Sequence, residues 1–296
     1  MDPEFKSGYV AIAGPPNAGK STLLNCLLGE KISITSKKPQ TTRYRILGVV
    51  HRPTSQILFF DTPGVHLPKD PLNTRIVATA LSALADADIV LLVIDAAHPD
   101  PASEHILVKK LRSQRQPVIL ALNKIDLVPR TKLLEIIDRW SKAFAFEAVV
   151  PISAMQRIQI DDLVTAMEAI LPQGPPFFPA DTITDLPKRF MAAEIIREKV
   201  FRFTGEEIPY ATAVTVDSFK EGPDGRLTAI HATIHLERES QKAIVIGKAG
   251  SKLKRIGTDA RKELEQLLET KVFLRLFVRV QKNWRKDTRA LRRFGY

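Results

Sequence analysis

The sequence is poor in cysteine and in aromatic residues, and its apolar runs are short. A single cysteine, Cys26, excludes an intramolecular disulfide and a thiolate metal cluster, and the six histidines are too scattered to suggest a zinc site. Apolar runs such as 89–94 are far shorter than the roughly 20 residues that span a bilayer, and the N-terminus lacks the apolar core of a signal peptide. We therefore expect a soluble, cytoplasmic protein in which residues 1–7 are a tag or a disordered start.

The positive charge is confined to one end of the chain. The formal net charge is +11; residues 1–240 are balanced, whereas residues 241–296 contain 16 basic and 5 acidic side chains. This distribution excludes a uniformly basic protein and indicates a basic C-terminal module. Because 296 residues are many for one compact domain, we expect two domains.

Apolar runs alternate with amphipathic stretches in the first half of the chain. Five runs have the composition of buried strands: 9–13, 56–60, 89–94, 118–122 and 148–152. The alternation predicts an α/β domain over residues 8–171, with a mainly parallel sheet and helices on both faces. Five prolines in 172–187 favour an extended linker. Helical and strand-like stretches then mix in 188–296, which predicts a smaller α+β domain with a basic tail.

The segment from Gly14 to Ser21 has the spacing of a phosphate-binding loop, namely a glycine, four residues and then Gly-Lys-Ser. It follows an apolar run and precedes a helical pattern, which is the context that the motif requires. In such a loop the backbone N–H groups point at phosphate oxygens, Lys20 bridges the β- and γ-phosphates, and the Ser21 hydroxyl binds Mg²⁺. The nucleotide-binding candidates are Gly14, Pro15, Asn17, Ala18, Gly19, Lys20, Ser21 and Thr22.

Further motifs follow the predicted strands. Asp61 ends the run 56–60 and can hold the Mg²⁺ shell, while Gly64 can offer its N–H to the γ-phosphate. The next motif indicates the base: the carboxylate of Asp126 can accept two hydrogen bonds from guanine that adenine cannot offer. Asn123 would brace the loop and meet the base, the Lys124 stem would cover it, and Ser153-Ala154 would offer a backbone N–H to the guanine carbonyl.

A Ser-, Thr- and Lys-rich segment, 34–45, lies between the first two motifs and contains Gln40, Thr41, Thr42 and Arg43. A threonine there can complete the Mg²⁺ sphere when γ-phosphate is present, which makes the loop a switch; the alternative is a solvated polar loop. Either threonine could serve, and Thr42 is our candidate. The metal-binding candidates are thus Ser21, Thr42 and Asp61.

The residue after Gly64 is Val65, where Ras-like proteins have the glutamine that positions water, so we expect slow intrinsic hydrolysis. Asn17 could hold a monovalent cation near the phosphates, or could simply cap the loop. With this reading, the catalytic candidates are Lys20, Thr42, Asp61, Gly64 and Asn17.

The basic module contains a Gly-x-x-Gly sequence from Gly247 to Gly250. In a KH-type domain these glycines let a nucleic-acid backbone approach closely, while a neighbouring apolar surface holds unpaired bases. The RNA-binding candidates are Ile246, Gly247, Lys248, Ala249, Gly250, Lys252, Lys254 and Arg255. For the basic tail after Lys282, direct RNA contact and a solvated helical face with Trp284 in the core remain open.

The combination of these motifs resembles the Era family of bacterial ribosome-assembly GTPases over nearly the whole chain. Distinctive stretches are 31–36, 240–247 and 284–287 with the C-terminal Phe-Gly-Tyr. The resemblance implies a P-loop GTPase domain followed by a KH domain, which uses GTP/GDP and Mg²⁺ and, by similarity, K⁺-assisted hydrolysis. It also implies a protein that binds the 3′ end of 16S ribosomal RNA and supports maturation of the 30S subunit; we expect a monomer. Finally, it implies that 243–247 is helical although its composition is typical of a strand.

A second hypothesis belongs to another class of function. The basic C-terminal module could dock a GTPase on an anionic membrane surface, with the KH-like region acting only as a structural adaptor. The protein would then associate peripherally with the cytoplasmic side of the inner membrane.

Overall fold

A computed structural model describes residues 5–36, 38, 41–68, 70–205 and 208–296. The chain divides into two compact units, of which the first ends at Asp185 and the second begins at Leu186; the short segment Asp70–Leu72 groups with the second. This division falls inside the segment predicted as a linker. Among the described residues, no helix is both long enough and apolar enough to cross a membrane.

The first unit is an α/β structure. In chain order it contains β1 (Lys6–Ala13), α1 (Lys20–Leu28), β2 (Ile46–His51), β3 (Ser55–Asp61), α2 (Pro71–Ala85), β4 (Ile89–Asp95), α3 (Pro101–Leu111), β5 (Val118–Asn123), α4 (Arg130–Ala143), β6 (Ala148–Pro151) and α5 (Ile160–Ile170). The described strands form one six-stranded sheet in the order β2-β3-β1-β4-β5-β6. Only the β2–β3 pair in that sheet is antiparallel.

The apolar runs form strands because helices cover the sheet on both faces. One core cluster joins alternate residues of β1, β4 and β5 to the buried faces of α2, α3 and α4, for example Leu92 to Leu107 and Trp140. The helix α1 contacts β2 and β3, and α5 contacts β5 and β6. Each large apolar side chain buried this way contributes about 1.5–3 kcal/mol. The predicted architecture of the first domain is confirmed.

Two details of the first unit differ from the sequence analysis. The strand β1 begins at Lys6, so it includes two residues, Lys6 and Ser7, that were assigned to a tag or disordered start. The strand β2 was missed, because it lies at the edge of the sheet and Gly48 interrupts its apolar pattern.

The proline-rich segment lies along the edge strand β2. The backbone N–H of Val49 donates to the carbonyl of Ile183 at 2.8 Å, and the Thr184 hydroxyl donates to the carbonyl of Leu47 at 2.6 Å. These bonds satisfy groups that an edge strand would otherwise leave unpaired. Residues 172–185 are thus packed against the first unit rather than extended free of it.

A buried glutamine anchors the same segment. The Gln56 Oε1 atom accepts hydrogen bonds from the backbone N–H groups of Phe177 and Phe178 at 2.6 and 3.0 Å, and its Nε2 atom donates to the carbonyl of Phe178 at 2.8 Å. Because Gln56 is almost fully buried, its amide requires such partners. We refer to residues 173–184 as the strap.

The second unit is smaller and mixes helices with a sheet. It contains α6 (Lys188–Phe203), β7 (Ala213–Glu221), β8 (Leu227–Leu236), α7 (Glu239–Ile246), α8 (Ser251–Leu268), β9 (Lys271–Val280) and α9 (Thr288–Arg293). The described strands form a sheet in the order β7-β8-β9, with β7 antiparallel and β9 parallel to β8. Residues from α6, β8 and α8 share one core, including Ile196, Ile234 and Leu264. The predicted α+β class is confirmed.

The segment 243–247 corrects a prediction from composition. Its valine and isoleucines are typical of a strand, but α7 covers Ala243 to Ile246, as the family resemblance implied. The helix begins where the Gln241 side chain accepts the backbone N–H groups of Glu237 and Arg238 at 3.0 and 3.1 Å. A glutamine at this position of the first turn stabilises a helix start, and this signal outweighs β-propensity here.

Candidate nucleotide site and nucleic-acid interface

A cavity of about 990 Å³ opens where the loops after β1, β3, β5 and β6 converge. Because β1 lies between β3 and β4, the loop after β1 stands at the point where the chain order reverses, which is the usual ligand site of such sheets. The predicted residues that line the cavity are Asn17, Gly19, Lys20, Ser21, Thr22, Thr42, Gly64, Asn123, Lys124, Asp126, Ser153 and Ala154. The remaining ones, Gly14, Pro15, Ala18 and Asp61, are buried and do not line it.

The phosphate-binding loop has the backbone that its glycines permit. Gly19, directly before α1, has φ +96°, and a Cβ there would stand 2.2 Å from Nδ2 of Asn123. Any other residue would therefore be both strained and in collision. The first turn of α1 leaves its N–H groups directed at the loop, which favours an anion at this position.

Lys20 is held at the mouth of the loop. Its Nζ atom donates to the carbonyl groups of Gly14 and Pro15 at 3.1 and 2.7 Å, and its side chain is buried. Burial lowers the pKa of Lys20 to about 8, and the nearby carboxylate of Asp61 opposes this shift only in part. A phosphate group would restore the preference for the charged ammonium.

This pKa predicts proton uptake on nucleotide binding. When GDP binds, the phosphate charge raises the pKa of Lys20, so the fraction that was neutral takes up a proton. With a pKa of about 8, uptake should rise from about 0.1 proton at pH 7 to about 0.75 at pH 8.5. Calorimetry in buffers of different ionisation enthalpy measures it. The Lys20→Arg variant, measured at saturating GDP, should show no rise, because arginine does not titrate; a flat profile in the unmodified chain would contradict the lowered pKa.

Three oxygen-bearing side chains meet beside this loop. The Ser21 hydroxyl donates to Oδ2 of Asp61 at 2.7 Å and lies 2.8 Å from the hydroxyl of Thr42. Thr41 instead donates to the carbonyl of Lys38 at 2.7 Å. Gln40, the neighbouring residue of the predicted switch, lies outside the described residues. The structure thus brings Thr42 rather than Thr41 to the Ser21 hydroxyl, which in turn donates to Asp61.

The Asp61 environment fits a divalent cation. The carboxylate is fully buried, and within the described part of the chain its Oδ1 atom has no hydrogen-bond partner. Burial raises its pKa, against hydrogen bonds from Ser21 and Ser33 and the charge of Lys20, which lower it. Mg²⁺ prefers oxygen ligands and water, and a buried carboxylate oxygen without a partner is costly unless such an ion or its water shell engages it.

Sequence reasoning missed a second hydroxyl on Asp61. Ser33, which is fully buried, donates to Oδ2 of Asp61 at 2.8 Å. Asn25 of α1 fixes Ser33: its Oδ1 atom accepts the Ser33 N–H at 3.0 Å, and its Nδ2 atom donates to the Ser33 carbonyl at 2.8 Å. Asn25 and Ser33 lie in or beside stretches that the sequence motifs indicate, but nothing in their spacing predicts that Ser33 contacts Asp61.

The base-recognition loops are tied together by Asn123. Its Nδ2 atom donates to the carbonyl of Ala18 at 2.8 Å, and its Oδ1 atom accepts the N–H groups of Lys124 and Ala154 at 2.9 and 3.0 Å. One side chain therefore joins the phosphate-binding loop to the loops after β5 and β6. Asp126 lies in a short 3₁₀ turn, Ile125–Leu127, and is exposed at the cavity.

Lys124 has a partner that sequence reasoning missed. Its Nζ atom donates to Oδ2 of Asp95 at 2.5 Å and to the carbonyl of Asn17 at 2.8 Å. Asp95 ends β4 and is buried. A carboxylate at the carboxyl end of a buried parallel strand was the available signal, because all such ends meet at one edge of the sheet. The ion pair holds the Lys124 stem across the loop.

The residue after Gly64 faces the core. Val65 is fully buried in the cluster under α2 and α3, and its backbone N–H donates to the carbonyl of Gly14 at 3.1 Å. An apolar side chain in this position cannot orient an attacking water.

The second unit presents the Gly-x-x-Gly loop between α7 and α8. Gly247 and Gly250 have φ of +73° and +75°, and Ala249 between them has φ +49°. A Cβ on Gly250 would meet no atom within 4 Å, so its outer side is open. Lys248, Lys254 and Arg255 are exposed, Ile246 ends α7, and Lys252 lies in the first turn of α8.

The basic tail has a buried anchor. Trp284 is fully buried, its Nε1–H donates to the carbonyl of Ala211 at 2.9 Å, and Phe294 packs edge-on against it at 5.2 Å. Of the two readings left open by the sequence, the structure places Trp284 in the core, while Arg289 and Arg292 beside it remain exposed.

Comparisons with known proteins agree over both units. The family described as 50S ribosome-binding GTPase matches residues 9–124, and the KH domain family matches residues 207–285. The chain is 53% identical over 295 residues to GTPase Era of Geobacter metallireducens. The alignment covers 100% of this chain and 99% of that protein. It is 51% identical to GTPase Era of Geotalea uraniireducens, in an alignment that covers 99% of this chain and 98% of that protein.

Solved structures agree with this result. A crystal structure of Era in complex with MgGDPNP and nucleotides 1506–1542 of 16S ribosomal RNA superposes with a TM-score of 0.95 at 45% identity, covering 99% of each chain. A variant of Aquifex aeolicus Era bound to GDP·AlF₄⁻ gives a TM-score of 0.95 at 44% identity, also over 99% of each chain.

The fold and the site define a P-loop GTPase joined to a KH domain. At half identity over its full length, the chain belongs to the GTPase Era family. It is therefore a GTP hydrolase.

Proposed function

We propose that this GTPase binds the 3′ end of 16S ribosomal RNA through its KH domain and assists maturation of the 30S subunit. The observation that carries the proposal is the match, over 99% of both chains, to an Era structure that holds MgGDPNP and nucleotides 1506–1542 of 16S ribosomal RNA. The open, basic Gly-x-x-Gly loop is suited to single-stranded RNA. We further propose that the protein acts as a monomer in the cytoplasm.

The nucleotide site supports a switch. Lys20 and the backbone N–H groups before α1 hold the β- and γ-phosphates, and Asp126 selects guanine. Ser21, Thr42 and Asp61 supply the oxygen atoms that hold Mg²⁺, which neutralises the charge on the phosphates when bound. Thr42 belongs to the loop before β2. When Thr42 takes part in holding the ion in the GTP state, that loop would become ordered; loss of this contact after hydrolysis would release the loop.

Hydrolysis has to proceed without a glutamine after Gly64. Val65 is buried and apolar, so we expect a slow intrinsic rate. We propose that Asn17, an exposed residue of the phosphate-binding loop with φ +62°, holds a K⁺ ion beside the phosphates. Replacing K⁺ by Na⁺ in the assay measures this contribution.

The coupling of GTP to RNA is directly measurable. With an RNA that carries the 3′-end sequence, affinity should be at least about tenfold higher with a non-hydrolysable GTP analogue than with GDP, which corresponds to about 1.4 kcal/mol of coupling. Fluorescence anisotropy with the intact protein and a scrambled RNA of equal length provides the measurement. Identical affinities in the two nucleotide states would contradict the proposed switch.

A matched variant locates the coupling. Thr42→Ala removes the switch hydroxyl and leaves the KH domain untouched, so it should reduce RNA affinity in the GTP-analogue state to the GDP value. Anionic vesicles test the competing membrane function in the same assay. Vesicle binding by a chain that does not bind the RNA would favour that alternative.

A further inference from the structure

The strand β9 exposes an alternating row of aromatic and basic side chains. Phe273 and Phe277 are 54% and 37% exposed, and Arg275 and Arg279 beside them are also exposed. The intervening residues Leu274, Leu276 and Val278 pack into the core of the second unit. The row therefore stands on the face of the sheet opposite α6 and α8, part of which the C-terminal segment covers where Phe294 packs on His235.

Neighbouring contacts make this row a continuous surface. The ring of His231 on β8 meets the ring of Phe273 edge-on, with 6.3 Å between centroids, and the Arg275 guanidinium stands 5.1 Å from the centroid of Phe277. We call His231, Phe273, Arg275, Phe277 and Arg279 the β8–β9 face. Arginine stacked on a ring still offers its N–H groups to a phosphate.

The charge on this face is mainly positive. Neither β8 nor β9 contains an acidic residue, and both lie in the unit that carries the positive excess. The Asp217 carboxylate reaches the face from β7, where it accepts the hydroxyl of Thr233, the β8 residue paired with Phe277, at 2.6 Å; Arg275 and Arg279 outnumber it. A ligand that complements this face is therefore a polyanion with flat apolar groups.

Single-stranded RNA has this chemistry. Unpaired bases stack on aromatic side chains without regard to sequence, while arginines neutralise the backbone. A lone exposed phenylalanine needs no explanation, and arginines can simply keep an edge strand from pairing with another chain. Two exposed rings four residues apart, with one arginine between them and a second beyond, form a repeat that protection of an edge does not require.

We propose that the β8–β9 face is a second contact surface for single-stranded RNA, separate from the Gly-x-x-Gly loop. Bases stack on Phe273 and Phe277, and Arg275 and Arg279 bind the flanking phosphates. The inference rests on the proposed RNA-binding function and extends it, since a Gly-x-x-Gly loop clamps only about four nucleotides. The strand β9 is the edge of the sheet and packs against α8, so an RNA that leaves the loop along α8 has only this edge strand to cross before it reaches the face.

An RNA length series tests the second surface. The variant Phe273→Leu/Phe277→Leu keeps the apolar character but removes the rings. It should lose at least about tenfold in affinity for a 3′-end RNA of about 16 nucleotides and should bind an RNA of about four nucleotides as the unmodified protein does. Arg275→Gln should reduce the log–log salt slope for the longer RNA by about 0.7. Equal loss for both RNAs, or no loss for either, would overturn the inference.

Controls separate this inference from the function on which it rests. Gly250→Asp should abolish detectable binding of both RNAs; if it has no effect, the Gly-x-x-Gly loop is not the RNA contact and the proposed RNA function fails. If Gly250→Asp removes binding but the ring variant, Phe273→Leu/Phe277→Leu, affects long and short RNAs equally, only the proposal of a second surface fails. Leu134→Ala with Lys132→Gln removes one exposed apolar and one basic side chain from α4 in the other unit and should change nothing. Light scattering detects the competing occupant, a second copy of the chain: an oligomer that the ring variant dissociates, with RNA affinity unchanged, would overturn the inference.

Discussion

Asp126→Asn should lower GTP affinity at least about a hundredfold and create binding of xanthosine triphosphate. Asp126 lies in the 3₁₀ turn after β5, and its carboxylate is exposed at the cavity, where it can accept hydrogen bonds from the ring N–H and the amino group of guanine. Hydrogen bonds to a charged group contribute about 1.5–3 kcal/mol each, and two are lost. The asparagine amide then faces the guanine amino group as a second donor, whereas the 2-carbonyl of xanthine accepts it.

Two control variants sharpen this experiment. Asp126→Ala should lose GTP affinity without gaining xanthosine triphosphate, because it removes the carboxylate without supplying a donor. Asp138→Asn, at an exposed position of α4, makes the same chemical change away from the cavity and should leave both affinities unchanged. Titration with fluorescent nucleotides measures all three variants. Unchanged GTP affinity in Asp126→Asn would show that another group selects the base.

Gly250→Asp should abolish detectable RNA binding and leave GTP binding intact. Gly250 has φ +75° and open space around the added Cβ, and aspartate tolerates this left-handed conformation better than most residues. The unit should therefore fold. The added carboxylate stands where the loop would meet the RNA phosphates, so bulk and charge both oppose binding.

Gly29→Asp is the matched control for this charge. Gly29 also has a left-handed φ, +73°, and open space around a Cβ, but it lies at the C-terminal end of α1 in the first unit. The Gly29→Asp variant should therefore retain RNA binding. Gly250→Asn, without the charge, should lose only part of the affinity. Undiminished RNA binding by Gly250→Asp would show that the Gly-x-x-Gly loop is not the RNA contact.

Contiguous motifs were the part of the site that the sequence could predict. The segment Gly14–Ser21 follows the buried strand β1, and Asp61 and Asn123 end β3 and β5; parallel strands bring their carboxyl ends to one edge of the sheet. Spacing along the chain and strand order therefore suffice to gather them around one cavity. For the same reason, Asp95 could have been found as the end of the next strand.

Contacts between segments distant in sequence were beyond the motifs. Ser33 reaches Asp61 only because Asn25 holds its backbone, and the strap meets β2 only because Gln56 and Val49 offer it hydrogen bonds. Such contacts depend on strand register and on the path of the loops, for which local composition has no signal. For α7 a local signal was present: Gln241 marks the start of the helix, whereas the apolar composition of 243–247 wrongly predicted a strand.

The sequence by itself determined the order of the two units, the chemistry of each motif and the location of the positive charge at the C-terminal end. Those properties depend only on local spacing and composition, which are the same in the unfolded chain. The tertiary structure alone decided which hydroxyl groups reach Asp61, where the strap lies and which side chains of β9 face outward. These depend on packing, because a side chain's neighbours are set by how strands and helices stack and not by its position along the chain.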